Sequence, residues 1–423
     1  MEKIKIDVLA VPLSGHLYPL MDLVAPLLKD PRFQIRLFTG VKKIPLAQAV
    51  GFETVTIFPD DPERVERVAN NPAQLNPWTA FQQLSASFDL INELSDDLLQ
   101  EWQVNRPDLV IADFITLSPA LVCRQLGIPW ITSMATQFAL ESKDGPPCFF
   151  GGWTDRPSFW IRLRNALGRK LTRGTKRLVF WGLYSKLKRY QIKLYNERGE
   201  ENIYSPYSIL GLGMEEVELK SGFPAHYRWA GPCCASFENP VDFHLDLERI
   251  SKKKVLVSCG TQLLWGKDNL VALAQNLADK FPDYHFVVTL GNSERRGMPP
   301  EEVRPNLTVV AYLPYSFYLA KFDYVIHHGG AGVFYNCIEA CKPALILPHD
   351  YDQADYAVRG QEAQIAYVAS KDRPSQIESQ FKRLIERRDW SQLEELSQTY
   401  QTYQASQILL EEIERILGEG RTR

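Results

Sequence analysis

Long apolar runs are missing from this chain: no stretch of it reaches the length of a membrane-spanning helix. A marked charge of either sign is missing too. The net charge of −3 gives no sign of a nucleic-acid partner, and no recognised nucleic-acid-binding motif accompanies the basic residues. Cysteine is sparse, and its seven copies lack metal-type pairing. Cys233 and Cys234 are adjacent, while Cys337 and Cys341 share a helix face. That pattern argues against a disulfide framework and points to free thiols in a reducing, cytoplasmic setting. Met1-Glu2-Lys3 leads straight into an apolar strand with no secretory signal shape, which agrees with that setting.

What is present is alternation. A chain of 423 residues exceeds what one core usually supports. Short apolar strands alternate with helical patterns in both halves, as doubly wound parallel sheets require. The spacing predicts strands near Ile6–Val11, Ile35–Phe38, Val55–Phe58, Leu109–Ala112 and Trp130–Ser133 in the first half. In the second they fall near Val255–Ser258, His285–Leu290, Val309–Tyr312, Tyr324–His327 and Ala344–Leu347. Ala230-Gly231-Pro232 closes a first domain, 1–232, and residues 233–250 read as a linker. A second domain spans 251–389, and 390–423 is helical by periodicity from Trp390 to Leu417. The fold class is α/β.

His328-Gly329-Gly330-Ala331-Gly332 sits directly after the apolar stretch Tyr324-Val325-Ile326 and before the helix-like Val333–Cys341. A strand, a glycine turn and a fresh helix N-terminus make an anion site, because the first backbone N–H groups are unpaired and the helix dipole is positive there. Glycine lets phosphate oxygens approach the backbone, and His328 adds a side-chain donor. Such turns also use glycine for geometry alone. Downstream, Pro343–Pro348 forms a short strand that delivers Asp352 and Gln353 to the carboxyl end of the same sheet. A carboxylate beside an amide suits the hydroxyls of a sugar.

From Val309 to Arg359 the chain resembles the donor-binding signature of the inverting, UDP-sugar-dependent glycosyltransferases, the plant natural-product, macrolide, glycopeptide and carotenoid enzymes. Tyr312-Leu313-Pro314 fills the aromatic-x-Pro place, His328 to Gly332 the glycine motif, and Pro348 with Asp352-Gln353 the final places. The resemblance implies a GT-B fold, two Rossmann-like domains facing each other across a cleft, the first binding the acceptor and the second the nucleotide-sugar donor, with the C-terminal helices of 390–423 packing back toward the first. It implies a UDP-sugar as co-substrate with no other cofactor, and no metal, since the helix dipole and His328 cover the charge role. Four positions depart from the family pattern. Tyr312 replaces a base-stacking tryptophan, Val333 a phosphate-directed Ser or Thr, Asn336 a ribose-gripping glutamate, and Cys341 a common glycine. Glu339, one helical turn beyond Asn336, is a substitute for the missing carboxylate.

The N-terminus supplies a second match. Lys5–Pro12 is an apolar strand, followed by Ser14-Gly15-His16 and the helix-like Pro19–Lys29, which puts His16 on a turn at a strand's carboxyl end. The resemblance makes His16 the general base that takes the acceptor's hydroxyl proton, a task suited to imidazole's near-neutral pKa. Asp113, ending the strand Leu109–Ala112, would orient it. A capping histidine and a helix-entry aspartate are the plain alternatives. Val255 to Thr261 resembles the family's Val-Ser-x-Gly-Ser/Thr turn, with Ser258 and Thr261 facing the sugar or its β-phosphate.

Taken together, these matches imply transfer of a hexose, glucose by resemblance, to a hydroxyl of a small apolar acceptor. A nucleotide-sugar epimerase and a non-catalytic nucleotide-sugar-binding subunit are the rivals. One segment stands apart. Residues 156–198 hold thirteen Lys or Arg against one acid, Glu197, with Phe159, Trp160, Phe180, Trp181, Tyr184, Tyr190 and Tyr195 interleaved. It suits peripheral contact with an anionic membrane, or a solvated helical face with its aromatics packed inward. Oligomeric state leaves no mark in the sequence.

Overall fold

The computed structural model describes residues 3–61, 63–69, 77–235, 237, 245–260, 267–292, 295, 297–350 and 352–421. In the first half β1 (Ile4–Leu9), β2 (Phe33–Gly40), β3 (Glu53–Ile57), β4 (Leu109–Asp113), β5 (Trp130–Met134), β6 (Ser208–Gly211) and β7 (Tyr227–Trp229) form one parallel sheet. Its order is β3-β2-β1-β4-β5-β6-β7. The helices of this half are α1 (Ser14–Val24), α2 (Ile44–Val50), α3 (Arg64–Ala69), α4 (Pro77–Val104), α5 (Ser118–Leu126) and α6 (Phe159–Leu187).

A second sheet holds β8 (Lys253–Ser258), β9 (Tyr284–Thr289), β10 (Glu301–Arg304), β11 (Leu307–Val310), β12 (Tyr324–His327), β13 (Ala344–Ile346) and β14 (Ala366–Val368). The order is β10-β11-β9-β8-β12-β13-β14, parallel except for the antiparallel edge pair β10–β11. Its helices are α7 (Lys267–Lys280), α8 (Tyr315–Tyr318), α9 (Ala331–Glu339), α10 (Gln353–Glu362) and α11 (Pro374–Glu386). Two more, α12 (Ser391–Tyr400) and α13 (Ala405–Arg421), end the chain.

The central strands are buried because helices cover both faces of each sheet: every residue of β4 and of β12 is buried, the terminal Asp113 and His327 included. In each sheet the winding direction reverses once, between β1 and β4 and between β8 and β12. Neighbouring loops part at such a point and leave a crevice outside the carboxyl ends of the strands, where open α/β sheets bind ligands.

The two halves share a continuous core. Phe138, Met214 and Val217 of the first pack with Tyr335 and Tyr356 of the second. Buried Gln137 donates from Nε2 to the Tyr335 hydroxyl at 2.7 Å. Glu218 and Arg359 form a fully buried ion pair between the halves, and the guanidinium lies 4.1 Å from the centroid of the Phe138 ring. Where the connection leaves the first domain, Gly231 has φ +104, and a Cβ there would meet Tyr403 Cβ at 2.4 Å. Glycine is needed at that crossing.

Several elements differ from the sequence expectations. β6, β7, β10 and β14 run only three or four residues, too short to display a period. The terminal segment divides its allegiance. Leu393 and Leu396 of α12 join the second domain's core, whereas Leu409, Ile413 and Ile416 of α13 join the first domain's. The helix expected at Pro19–Lys29 begins earlier, at Ser14, and continues past Val24 as a 3-10 turn over Ala25–Lys29. Tyr312 lies beyond β11, which stops at Val310.

Candidate functional site

Both crevices carry the residues singled out above. At the first, β1 leads into α1, and His16 occupies the first turn of that helix rather than a loop before it. Asp113, the last residue of β4, is buried. His16 Nδ1 lies 3.1 Å from Asp113 Oδ2, a contact less well aligned than a straight hydrogen bond. The Phe114 ring stands 5.5 Å from the imidazole and gives the crevice an apolar wall. Burial pulls the His16 pKa down, but the carboxylates of Asp113 and Asp352 outweigh it and hold the value above the ordinary one.

Asp352 comes from the other domain. Its Oδ2 accepts a hydrogen bond from Thr136 Oγ1 at 3.0 Å, so it reaches across the cleft toward the His16 side. Burial pushes this carboxyl's pKa up, against the pull of Thr136. Asp350 stands two residues before it, so the chain does hold an Asp-x-Asp spacing, against the sequence expectation that none is evident. Among the described residues no three His, Cys, Asp or Glu side chains converge as a metal-binding group.

At the second crevice β12 ends at His327, and the chain turns through His328 and Gly329 into α9, whose first position follows Gly330. Gly329 has φ +93, and a Cβ would come within 2.9 Å of the Gln353 carbonyl oxygen. A Cβ on Gly330 would meet His328 Nε2 at 2.5 Å. Buried His327, which the sequence reading did not single out, accepts the Gly329 N–H on Nδ1 at 3.0 Å and so pins the turn. No side chain caps α9 and its first turn holds no acidic residue, so the N–H groups around Ala331, Gly332 and Val333 head the positive end of the helix. Burial and the neighbouring His349 push the His328 pKa down to about 4. Burial and His328 push that of His327 to about 3. Both are neutral near pH 7, so His328 offers the site a hydrogen bond rather than a charge.

The remaining candidates divide by what already occupies them. The Val333 side chain is in the core and leaves only its backbone for a ligand. Asn336 is buried, and its Nδ2 donates to the Gly332 carbonyl at 2.8 Å and to that of Cys234 at 3.4 Å. Gln353 Oε1 accepts the N–H groups of His349 and Asp350, at 2.8 and 3.1 Å, leaving its amide nitrogen for other partners. Ser258 Oγ pairs with the Tyr315 hydroxyl at 2.6 Å and accepts the Gly260 N–H at 3.1 Å. Tyr312 is half-buried beside Arg295 and Met298. Thr261 lies outside the described residues. Glu339 is half-buried, and burial followed by nearby Asp22 raises its pKa. Thr136, Tyr315 and His349 were not foreseen. The signal for Thr136 was its place just past β5, next to β4 in the sheet.

Comparison with known proteins bears on the fold and on the second half of the chain. Residues 276–417 match the family described as erythromycin biosynthesis protein CIII-like, C-terminal domain. That span runs from within α7 into α13. The family resemblance drawn from the motifs is thereby supported. A curated relative, the uncharacterized UDP-glucosyltransferase YdhE of Bacillus subtilis (strain 168), is 28% identical over 144 residues. That match covers 34% of this chain and 35% of the relative, about a third of its length. Solved structures match throughout. The calicheamicin glycosyltransferase CalG4 aligns at TM-score 0.71 and 19% identity over 99% of both chains. The kitacinnamycin glycosyltransferase gives 0.70 and 17% over 99% of this chain and 100% of its own. VinC, solved with dTDP, gives 0.65 and 18% over 98% and 100%. The fold is GT-B.

Proposed function

We propose that the protein is an inverting, metal-independent glycosyltransferase. It moves a hexose from a UDP- or dTDP-sugar to a hydroxyl of a small apolar acceptor. The observation that carries this reading is the pairing of His16 with Asp113 at one crevice while Asp352 reaches over from the other domain. The uncapped start of α9 beside His328 supports a diphosphate site, and the nucleotide sugar is a co-substrate rather than a resident cofactor. YdhE bears a UDP-glucosyltransferase name and VinC was solved with dTDP, so both nucleotides enter the proposal.

In the reaction, the acceptor hydroxyl gives its proton to His16 Nε2 as its oxygen attacks the anomeric carbon. The bond from that carbon to the β-phosphate oxygen breaks on the opposite face, which inverts the configuration. The N–H groups opening α9 and the His328 imidazole stabilise the charge gathering on the departing diphosphate. Asp113 stabilises the imidazolium that forms, and Asp352 with the free amide nitrogen of Gln353 holds sugar hydroxyls. Phe114 and the exposed Ile115, both just past Asp113, favour an apolar acceptor.

The test is release of nucleoside diphosphate from UDP- and dTDP-hexoses with a panel of apolar alcohols and phenols. Transfer with inverted configuration at the anomeric carbon is expected. His16→Ala should lower kcat/KM by about 10²–10⁴ while leaving nucleotide binding intact. Acceptor-independent turnover of the nucleotide sugar would favour an epimerase instead.

A further inference from the structure

Helix α6 carries a second set of apolar residues, on the side that a surface helix keeps polar. Asn165, Gly168, Leu183 and Leu187 are its buried positions. Trp160, Leu163, Leu167, Leu171, Leu178 and Trp181 recur at intervals of three, four or seven and form a stripe on the solvent face. Trp160 is 74% exposed, Leu178 66% and Trp181 77%. The inward packing of these two tryptophans that the sequence left open does not occur. At 1.5 Å per residue the stripe runs about 32 Å between them. A contiguous apolar surface of that length marks an interaction site on a folded protein.

The charges beside the stripe say what covers it. The segment Phe159–Leu187 holds eight Lys or Arg and no Asp or Glu. Arg173, Lys176 and Lys186 turn inward to Glu141, Glu201 and Asp89. Arg162, Lys170 and Arg177 are exposed and make no ion pair among the described residues. No described helix is long and apolar enough to cross a membrane, so the stripe is suited to lying on a surface.

We propose that α6 docks flat on an anionic lipid bilayer. The leucines sit at the acyl boundary, Trp160 and Trp181 anchor the two ends of the stripe in the interface, and Arg162, Lys170 and Arg177 contact lipid headgroups. A second copy of the chain fits less well, because it would set one cationic helix against another. Docking stands apart from the catalytic reading. If both hold, the acceptor domain rests on the phase in which an apolar alcohol dissolves.

The experiment is flotation of the full chain with vesicles of phosphatidylcholine alone and of phosphatidylcholine with phosphatidylglycerol. The expected result is co-flotation with the anionic vesicles only, reversed by salt. Trp160→Ser with Trp181→Ser should weaken binding roughly tenfold. Neutralising Arg162, Lys170 and Arg177 to glutamine should weaken it about fivefold per cation at low salt. These side chains are exposed, and an unchanged circular-dichroism melt checks that each variant is folded. Absence of flotation with either vesicle, or variants that float like the wild type, would overturn the proposal. So would a wild-type dimer, seen by light scattering, that the tryptophan variant converts to monomer. Because the assay reads no transfer, its failure leaves the glycosyltransferase reading standing.

Discussion

His16 lies under opposing influences. Burial favours the neutral ring, as does the positive end of α1, while Asp113 and Asp352 favour the charged one and prevail. A base must be unprotonated to act, so a pKa above the ordinary 6.5 places the acidic limb of kcat/KM above pH 6.5. Asp113→Asn removes one of the raising charges. The limb should then move to lower pH, and the plateau should fall about 10²-fold as the ring loses its orienting carboxylate. A pH–rate profile reads both effects, and a limb that stays put or moves upward would contradict the assigned pairing. His16 and Asp113 were legible in the sequence because each follows an apolar strand, and strand ends face the crevice. Thr136 shares that kind of place, just past β5, but a hydroxyl there brings no charge or imidazole to single it out. The occupied amide of Asn336 was likewise hidden, because its carbonyl partners, Gly332 and Cys234, are set by packing.

At the scale of elements, α9 opens at the second crevice. Its start has Gly330 for a cap and no side chain to satisfy the leading N–H groups, which suits an incoming anion. Just past its end, Cys341 has φ +53, a left-handed backbone that glycine adopts without strain. That accounts for glycine at this place in the family pattern. Cys341→Gly should raise stability by about 1 kcal/mol in chemical denaturation, because the left-handed strain disappears. Lower stability would mean that the thiol's packing matters more. Strands of five or more residues were visible in the sequence as apolar runs between turns. The three-residue strands β7, β13 and β14 carry too few side chains to reveal a period, and of these only β13 was foreseen, from the prolines that bracket it. The start of α1 was misplaced because Pro19 looked like a helix entrance, whereas it sits inside the helix.

At the scale of the whole molecule, the two domains meet through buried polar groups as well as apolar ones. Arg359 and Glu218 are each 1% exposed, and removing one leaves the other charge buried without a partner. Arg359→Met should cost about 3–5 kcal/mol, while replacing both by apolar residues of similar size should cost far less. Thermal melts of the single and double variants check this, and equal losses would contradict it. Such a contact was invisible in the sequence, because 141 positions separate the partners. The presence of two sheets was legible, since both halves repeat the same alternation of strand and helix.

The central claim is that the turn from His328 to Gly332 opens a nucleoside-diphosphate site at the second crevice. A ligand that binds only the folded chain raises its melting temperature by mass action, by about 2.7 kcal/mol of stability at a hundredfold excess over Kd. The deciding measurement is a thermal-shift titration with UDP, dTDP and GDP on the wild type and on His328→Ala. The account predicts stabilisation by UDP or dTDP that is reduced or lost in the variant. No stabilisation by any nucleotide, or an equal shift in both proteins, would contradict it.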